Sequence, residues 1–343
     1  MVQSRRHFVG SLLGLPLLAS AMPGMAQSRP AGIIRLNIPG PGALPFMPLE
    51  LIPRLGFDKV LKAKVHIRHF PSGVHALEDM LAGNADFAGL GFSVLPRMRA
   101  QRQDVFAVAP LSGAMPPISV IVHASLRDKV HELADLRGRS IGVPVGSSKS
   151  RTYLQRMAEL ILASGNVRPD QVRWVGTGQN FDGQVGALMG QLADAVFCEE
   201  PFATMLVDRG VGFALADLRD PLRLASIPGA AHLRAVLATH GDQIRKTPQR
   251  VGVMVEMLQR TLAWMHLQKP AAIVTRLDIG DEQERRERIM AMTRVPDMFP
   301  PDTRFSRAQV EATRAFLTAG SDPAAESLDP AQSINDTWAG SRS

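Results

Sequence analysis

The stretch Gly142-Val143-Pro144-Val145-Gly146-Ser147-Ser148 places small residues and two hydroxyls between a β-forming run and the helical pattern of Tyr153, Met157, Leu160 and Ile161. The first backbone N–H groups of a helix have no partner within it, so such a turn can hold an anionic head group. The same residues can equally form an ordinary serine cap. The spacing and terminal Lys-Ser/Thr of a P-loop are absent. Further along, Cys198-Glu199-Glu200-Pro201 puts two carboxylates behind the single cysteine. The cysteine reads as a small buried residue rather than a reactive thiol. His66, His69 and His75 read as surface histidines. On a strand His66 and His69 point to opposite faces, and no cysteine or carboxylate pair converges with them, so no metal site is expected. Neither a Gly-x-Ser-x-Gly elbow nor a His-Glu-x-x-His segment occurs, which leaves a hydrolase without a nucleophile or a zinc.

The elements that position these groups alternate in period. Ile33–Ile38, Lys64–Phe70, Asp86–Leu90 and Val105–Ala109 read as strands, separated by helical stretches around Met47–Leu55 and Val74–Ala82. After the irregular Pro110–Pro117 come strands at Ile118–Val122, Ser140–Val143, Gln171–Val175, Ala193–Phe197 and Leu233–Thr239. From Thr247 onward the pattern is helical, including the mixed-charge Asp281–Met290, which reads as a solvated helix face and not as a nucleic-acid stripe. This βα order predicts a mostly parallel sheet in each of two halves, with ligands beyond the strand C-terminal ends. A weak internal echo relates Leu81–Phe87 to Gly190–Val196: each has an Asp at the entrance of a short apolar strand.

The 343 residues suggest about two domains. One Cys excludes an intramolecular disulfide framework and any multi-Cys metal site. The formal charge is +7. Two of those charges, Arg5 and Arg6, sit in front of the apolar run Ser11–Ala19 and the small residues Gly24 and Ala26, the pattern of a secretory signal cut near Ala26. Paired arginines after Ser4 resemble a twin-arginine signal, with an ordinary Sec signal as the alternative. The scattered remainder suits solubility or a weak attraction for anions. The scarcity of Trp and Tyr speaks against stacking on a sugar or caging a quaternary ammonium.

Four pieces in order carry a resemblance: Gly83-Asn84-Ala85-Asp86-Phe87-Ala88 with Gly91; Leu133-Ala134-Asp135-Leu136-Arg137-Gly138-Arg139-Ser140-Ile141-Gly142-Val143; Ala187–Ala195; and Glu199-Glu200-Pro201-Phe202. Together, across residues 32–320, they resemble the periplasmic solute-binding proteins of ABC importers, in the nitrate, sulfonate, taurine and thiamine-pyrimidine (NMT1/THI5-like) branch. The resemblance implies an α/β type II periplasmic-binding-protein fold, two βα lobes with a ligand cleft between them. Lobe 1 is expected over 27–117 and 238–343, with the C-terminal helices packed on it, and lobe 2 over 118–237. It further implies an exported periplasmic monomer that captures a small anionic or polar organic ligand by hinge closure and delivers it to an ABC permease of the inner membrane. No catalysis, cofactor or metal, and no nucleic-acid partner, is implied.

On that reading the ligand meets Pro45, Phe46, Ser72, Gly73, Gly91, Phe92 and Ser93 at first-lobe strand ends, and Gly146, Ser147, Ser148 and Glu200 across the cleft. Small residues let backbone approach a ligand, while Phe46 and Phe92 either pack on its apolar part or belong to the core. Glu200, in the family's Glu-Pro pair, would repel a sulfonate. It therefore has a structural role or meets a ligand that carries a donor. Two other outcomes share the resemblance: an enzyme of the pyrimidine-synthase-like branch, which is cysteine-rich and uses a lysine-bound cofactor, and a receptor that presents its ligand to a sensor.

Overall fold

Ile34, Leu36 and Ile38 point one way from the first strand and are fully buried, while Ile33 and Arg35 on its other face are exposed and Asn37 there is buried by its hydrogen bonds to the Ala76 carbonyl and Asp79, so the two-residue period of the sequence sets the face that meets the core. The computed structural model describes residues 32–147, 151–319 and 329–342; the expected export signal and Ser148 lie outside them. The strand β1 (Gly32–Pro39) is followed by α1 (Met47–Arg54), α2 (Phe57–Val60), β2 (Ala63–Phe70), α3 (Gly73–Leu81), β3 (Phe87–Gly91), α4 (Val94–Ala100) and β4 (Val105–Pro110). A second series runs β5 (Ile118–His123), β6 (Ser140–Pro144), α5 (Tyr153–Ser164), β7 (Arg173–Thr177), α6 (Phe181–Met189), β8 (Ala195–Glu199), α7 (Phe202–Asp208), β9 (Gly212–Asp217) and α8 (Pro221–Ala225). Then come β10 (Ala235–His240), α9 (Gly241–Lys246), α10 (Pro248–His266), α11 (Pro270–Thr275), α12 (Glu282–Arg294) and α13 (Arg307–Thr318).

The strands form two five-stranded sheets, ordered β2-β1-β3-β10-β4 and β7-β6-β8-β5-β9. The pattern is the same in both. The first three strands are parallel, and the fourth is antiparallel to both neighbours. In each sheet that antiparallel strand is the one arriving from the other sheet, so the chain crosses twice, over 111–117 and over 218–234. This is the expected two-lobe α/β fold. The return comes earlier than the Leu237 boundary suggests: Ala235, Val236 and Leu237 pair with Gly91, Leu90 and Gly89 of β3, and the strand lies whole in the first sheet.

The internal echo has a structural counterpart. Asp86 accepts the Arg35 N–H at 2.8 Å while its own N–H donates to the Arg35 carbonyl at 2.9 Å; Asp194 does the same with Ser140 at 2.8 Å and 2.8 Å. In both sheets an aspartate at the start of the third strand in the order fastens it to the second.

The late helices do not all stay on the first lobe. Helix α10 packs on α1, but α12 reaches α7 of the second lobe. Glu287 of the mixed-charge run is fully buried and takes both prongs of Arg209 at 2.7 Å, and the next residue, Arg288, donates to the Gly42 carbonyl of the first lobe at 2.9 Å. The face expected to be solvated thus spans the two lobes. Among the described residues no helix is long and apolar enough to cross a membrane.

Candidate ligand cleft

The C-terminal ends of β1, β2 and β3 face those of β6, β7 and β8, the positions where parallel α/β sheets bind ligands. Gln179, just ahead of α6, joins the two sides. Its backbone N–H donates to the Pro71 carbonyl at 2.8 Å, its side-chain oxygen accepts the Gly73 N–H at 3.2 Å, and its amide nitrogen donates to Glu199 Oε2 at 3.3 Å. One buried primary amide therefore spans from the N-terminus of α3 in the first lobe to the last residue of β8 in the second. Beside it Ser147 donates to Glu78 Oε1 at 2.6 Å, again across the lobes. A third crossing is steric. A Cβ on Gly91 would stand 2.5 Å from Tyr153 Cδ1, so the ring of the second lobe fills the space that glycine leaves at the end of β3.

Behind the seam lies the junction of the two crossings. Arg234 is buried, and its guanidinium donates to the carbonyls of Gly113 at 2.8 Å, Met115 at 2.7 Å and Ala114 at 3.4 Å. Its backbone N–H and that of Ala235 both donate to Ser112 Oγ at 3.1 Å. The second crossing is in this way tied to the first. Gly113 has no room for a side chain against the carbonyls of Asp297 and Phe299.

The charges here are strongly perturbed. Glu199 is fully buried, and burial pushes its carboxyl up to about 8 against the pull of Arg234. Burial, with Arg234 adding to it, holds His232 down at about 3. Its Nδ1–H donates to the Gly229 carbonyl at 3.0 Å, leaving Nε2 as an acceptor, and its ring stacks on Phe316 at 3.8 Å. Arg234 is lowered to about 10 by burial, opposed by Glu199. Several buried polar atoms in this region have no partner: Tyr153 OH, Gln184 Nε2, Glu199 Oε1, His232 Nε2 and Thr177 Oγ1. Buried polar groups ordinarily find a hydrogen-bond partner, and these five lie among groups whose charge burial perturbs.

The expected site residues separate into two groups. Ser72, Gly73, Gly91 and Ser147 come to the seam; the Ser72 hydroxyl also caps α3, accepting the His75 N–H at 3.5 Å. Gly146 lies half-buried beside Ser147. Pro45 and Phe46 are buried in the first lobe, where Phe46 packs over Gly89 and Ile38, and Phe92 and Ser93 are buried where β3 runs into α4. The helix expected to open at the serine turn begins instead at Tyr153, where the Thr152 hydroxyl accepts the Gln155 N–H at 3.0 Å, so Ser147 acts through its hydroxyl and not as a helix end. Glu200 turns away from the seam. Its carboxylate accepts the Thr204 N–H at 3.0 Å at the start of α7 and lies 3.6 Å from Arg219. Burial raises it, opposed by those partners. Sequence reasoning assigned no role to Glu199, Gln179, Tyr153, His232 or Arg234. The signal available for the first was two acids at the end of an otherwise apolar strand, since a buried carboxyl needs a reason. Burial pushes the Cys198 thiol up, which makes it inert as a nucleophile.

The family model described as NMT1/THI5 like matches residues 63–272. A comparison with curated protein sequences finds no match. Among solved structures, one of a protein from Bordetella bronchiseptica RB50 is similar at a TM-score of 0.78 with 22% identity, covering 90% of this chain and 95% of the other. The alkanesulfonate-binding protein SsuA from Xanthomonas axonopodis pv. citri, bound to MOPS, is similar at 0.68 with 16% identity, over 89% and 98%. The desulfurization enzyme DSZB is similar at 0.52 with 14% identity, over 89% and 97%. At such identities the likeness is one of fold.

Proposed function

Because the chain belongs to the NMT1/THI5-like family, we propose that it is an exported, two-lobed binding protein that captures a small anionic or polar organic solute in the seam and delivers it to an ABC importer. The observation that carries this reading is Gln179, a buried amide that joins Gly73 of one lobe to Glu199 of the other amid unpartnered polar atoms. Such a bridge supports closure around a guest of similar size and polarity. Three to five hydrogen bonds, at about 1.5 to 3 kcal/mol each when charge-assisted, less ordering costs, reach the roughly 8 kcal/mol of a micromolar site. Binding by hinge closure requires no covalent step, and the inert Cys198 supplies none. The protein acts as a periplasmic monomer, with the inner-membrane permease as its partner.

The test is a thermal-shift and calorimetric screen against nitrate, alkanesulfonates, amino acids, carboxylates and pyrimidines. A solute at a hundred times its dissociation constant stabilises the fold by about 2.7 kcal/mol. Gln179→Ala weakens that binding at least tenfold while leaving the circular dichroism spectrum unchanged. A flat screen across all these classes refutes the reading.

A further inference from the structure

Glu199 ends β8 with its carboxyl fully buried. Arg234, the one cation that acts on it among the described residues, directs its guanidinium at the carbonyls of Gly113, Ala114 and Met115 instead. A carboxylate without an ion pair in a dry interior takes up a proton rather than stay charged. The hydrogen bonds decide which oxygen carries it. Oε2 accepts the Gln179 amide N–H at 3.3 Å, the part of a carbonyl oxygen, so the proton belongs to Oε1, which has no partner. Next to it Gln184 uses its Oε1 to accept the Glu199 N–H at 3.2 Å and leaves Nε2, a second donor, open. Tyr153, whose ring lies against Gly91 across the seam, has a buried hydroxyl in the same condition. His232 Nε2 is an open acceptor, but none of these donors reaches it. An acceptor is what the strand end lacks.

Resting on the reading of the seam as a solute site, we propose that Glu199 meets the solute as a hydrogen-bond donor, its Oε1–H directed at an oxygen of the solute, so that the protein captures its cargo only with that proton in place. The proton then sets specificity and release together: a carboxylate here would face the solute oxygen with a like charge and no hydrogen. Burial holds the carboxyl up at about 8, so affinity is full below that pH and falls by about tenfold per unit above it. The other titratable groups around the strand end do not substitute for it. Glu200 turns to Thr204 and Arg219, with Arg294 beside it; Glu78 accepts from Ser147; His75 is bonded to Ser72; Asp182 of α6 is exposed. His232 is neutral throughout this range, and burial keeps the Cys198 thiol protonated.

Calorimetry on the full chain with ethanesulfonate, nitrate and propanoate tests this, since none of the three titrates between pH 6 and 10. In the wild type the anion that binds does so equally at pH 6 and 7 and at least tenfold more weakly at pH 9.5, with a native circular dichroism spectrum at each pH. At pH 8.5, titrations in two buffers of different ionisation enthalpy show a proton taken up on binding; at pH 6.5 they show none. Glu199→Gln puts an N–H where the O–H stood, so it keeps the pH 6.5 affinity within about threefold and loses both the slope and the proton uptake. Glu199→Leu removes the donor and binds at least tenfold more weakly at every pH. A wild type whose affinity is unchanged to pH 9.5 without proton uptake, or a Glu199→Gln variant that keeps the slope, overturns the role of Glu199 and leaves the solute-binding reading standing. So does binding confined to solutes other than these three anions. A chain that binds none of them, no amino acid and no pyrimidine overturns that reading and this inference together. The wild-type pH series and proton count decide the matter even if a variant fails to fold.

Discussion

Glu199 makes stability depend on pH in a way that one substitution isolates. Its carboxyl is held up at about 8 in the folded protein, from an ordinary value of 4.5. Below pH 4.5 folded and unfolded chains both carry the proton. Between 4.5 and 8 the unfolded chain releases it while the folded chain keeps it, so the contribution of Glu199 to stability is complete at low pH and is lost as pH rises, at about 1.4 kcal/mol per unit. Above 8 both states are ionised and the loss levels off. Over the whole window it amounts to about 5 kcal/mol, an upper figure since the carboxyl stands near Arg234. His232 has the opposite slope: held neutral down to about 3, it costs stability as pH falls below 6.5, when only the unfolded chain takes up a proton. Subtracting the Glu199→Gln variant from wild type cancels His232 and leaves Glu199. Urea unfolding of both proteins at each pH from 5 to 9 gives the difference. Wild type loses stability relative to the variant by several kcal/mol between pH 5 and 8, and the difference is flat above 8.5. Parallel stability curves across that range would show that the carboxyl titrates normally and that its burial has been misjudged.

Two further outcomes follow from contacts between the lobes. Arg209→Ala leaves Glu287 fully buried with only the Gln283 amide at 3.1 Å, which costs about 3 kcal/mol in urea unfolding; the double variant Arg209→Met with Glu287→Met recovers most of that loss, and full additivity of the single variants would disprove the coupling. Gly91→Ala drives a methyl into the Tyr153 ring, at a cost of about 1 to 3 kcal/mol to the closed arrangement. Small-angle scattering then shows an expanded radius or the melting temperature falls by several degrees, and a variant unchanged in both would mean that the ring does not occupy that space.

How far the sequence could be read depended on whether a signal was local. Nine of the ten strands among the described residues follow from β-branched runs and two-residue alternation, because burial on one face selects those residues directly. The missing strand, Gly212–Asp217, is an edge of the second sheet whose Gly-Phe-Ala-Leu-Ala-Asp run is short and half-exposed, so no strong pattern is imposed on it. The Asp86 and Asp194 echo was legible because each aspartate answers one fixed backbone demand within its own lobe. The cleft was legible only at its small residues. Gln179 and Arg234 hold their positions through partners more than a hundred residues away, Gly73 in one case and Gly113 in the other, and nothing in their neighbourhoods announces those partners. Glu199 and Glu200 show how narrow the margin is. Adjacent strand-end residues face opposite ways, so a one-residue choice exchanges the group that meets the seam for the one that caps α7.

On the proposed reading, the shared strand order brings solute binding and closure to the same residues. In each sheet the antiparallel strand enters from the other lobe beside the strand that ends at the cleft: β10 runs next to β3, and β5 runs next to β8. The two crossings must therefore leave the sheets at the strand ends where ligands bind. Glu200 donates its N–H to the Pro117 carbonyl at 2.8 Å, at the last residue of the first crossing, while Glu199 one position earlier faces the seam. Phe92, just past the end of β3, donates its N–H to the Arg234 carbonyl at 2.7 Å, at the end of the second crossing. A group pressed between Gly73 and Glu199 thus acts on strands whose next hydrogen bonds belong to the hinge. If the cleft binds as proposed, movement of the lobes and its occupancy are joined through two or three residues of backbone, without any longer chain of contacts.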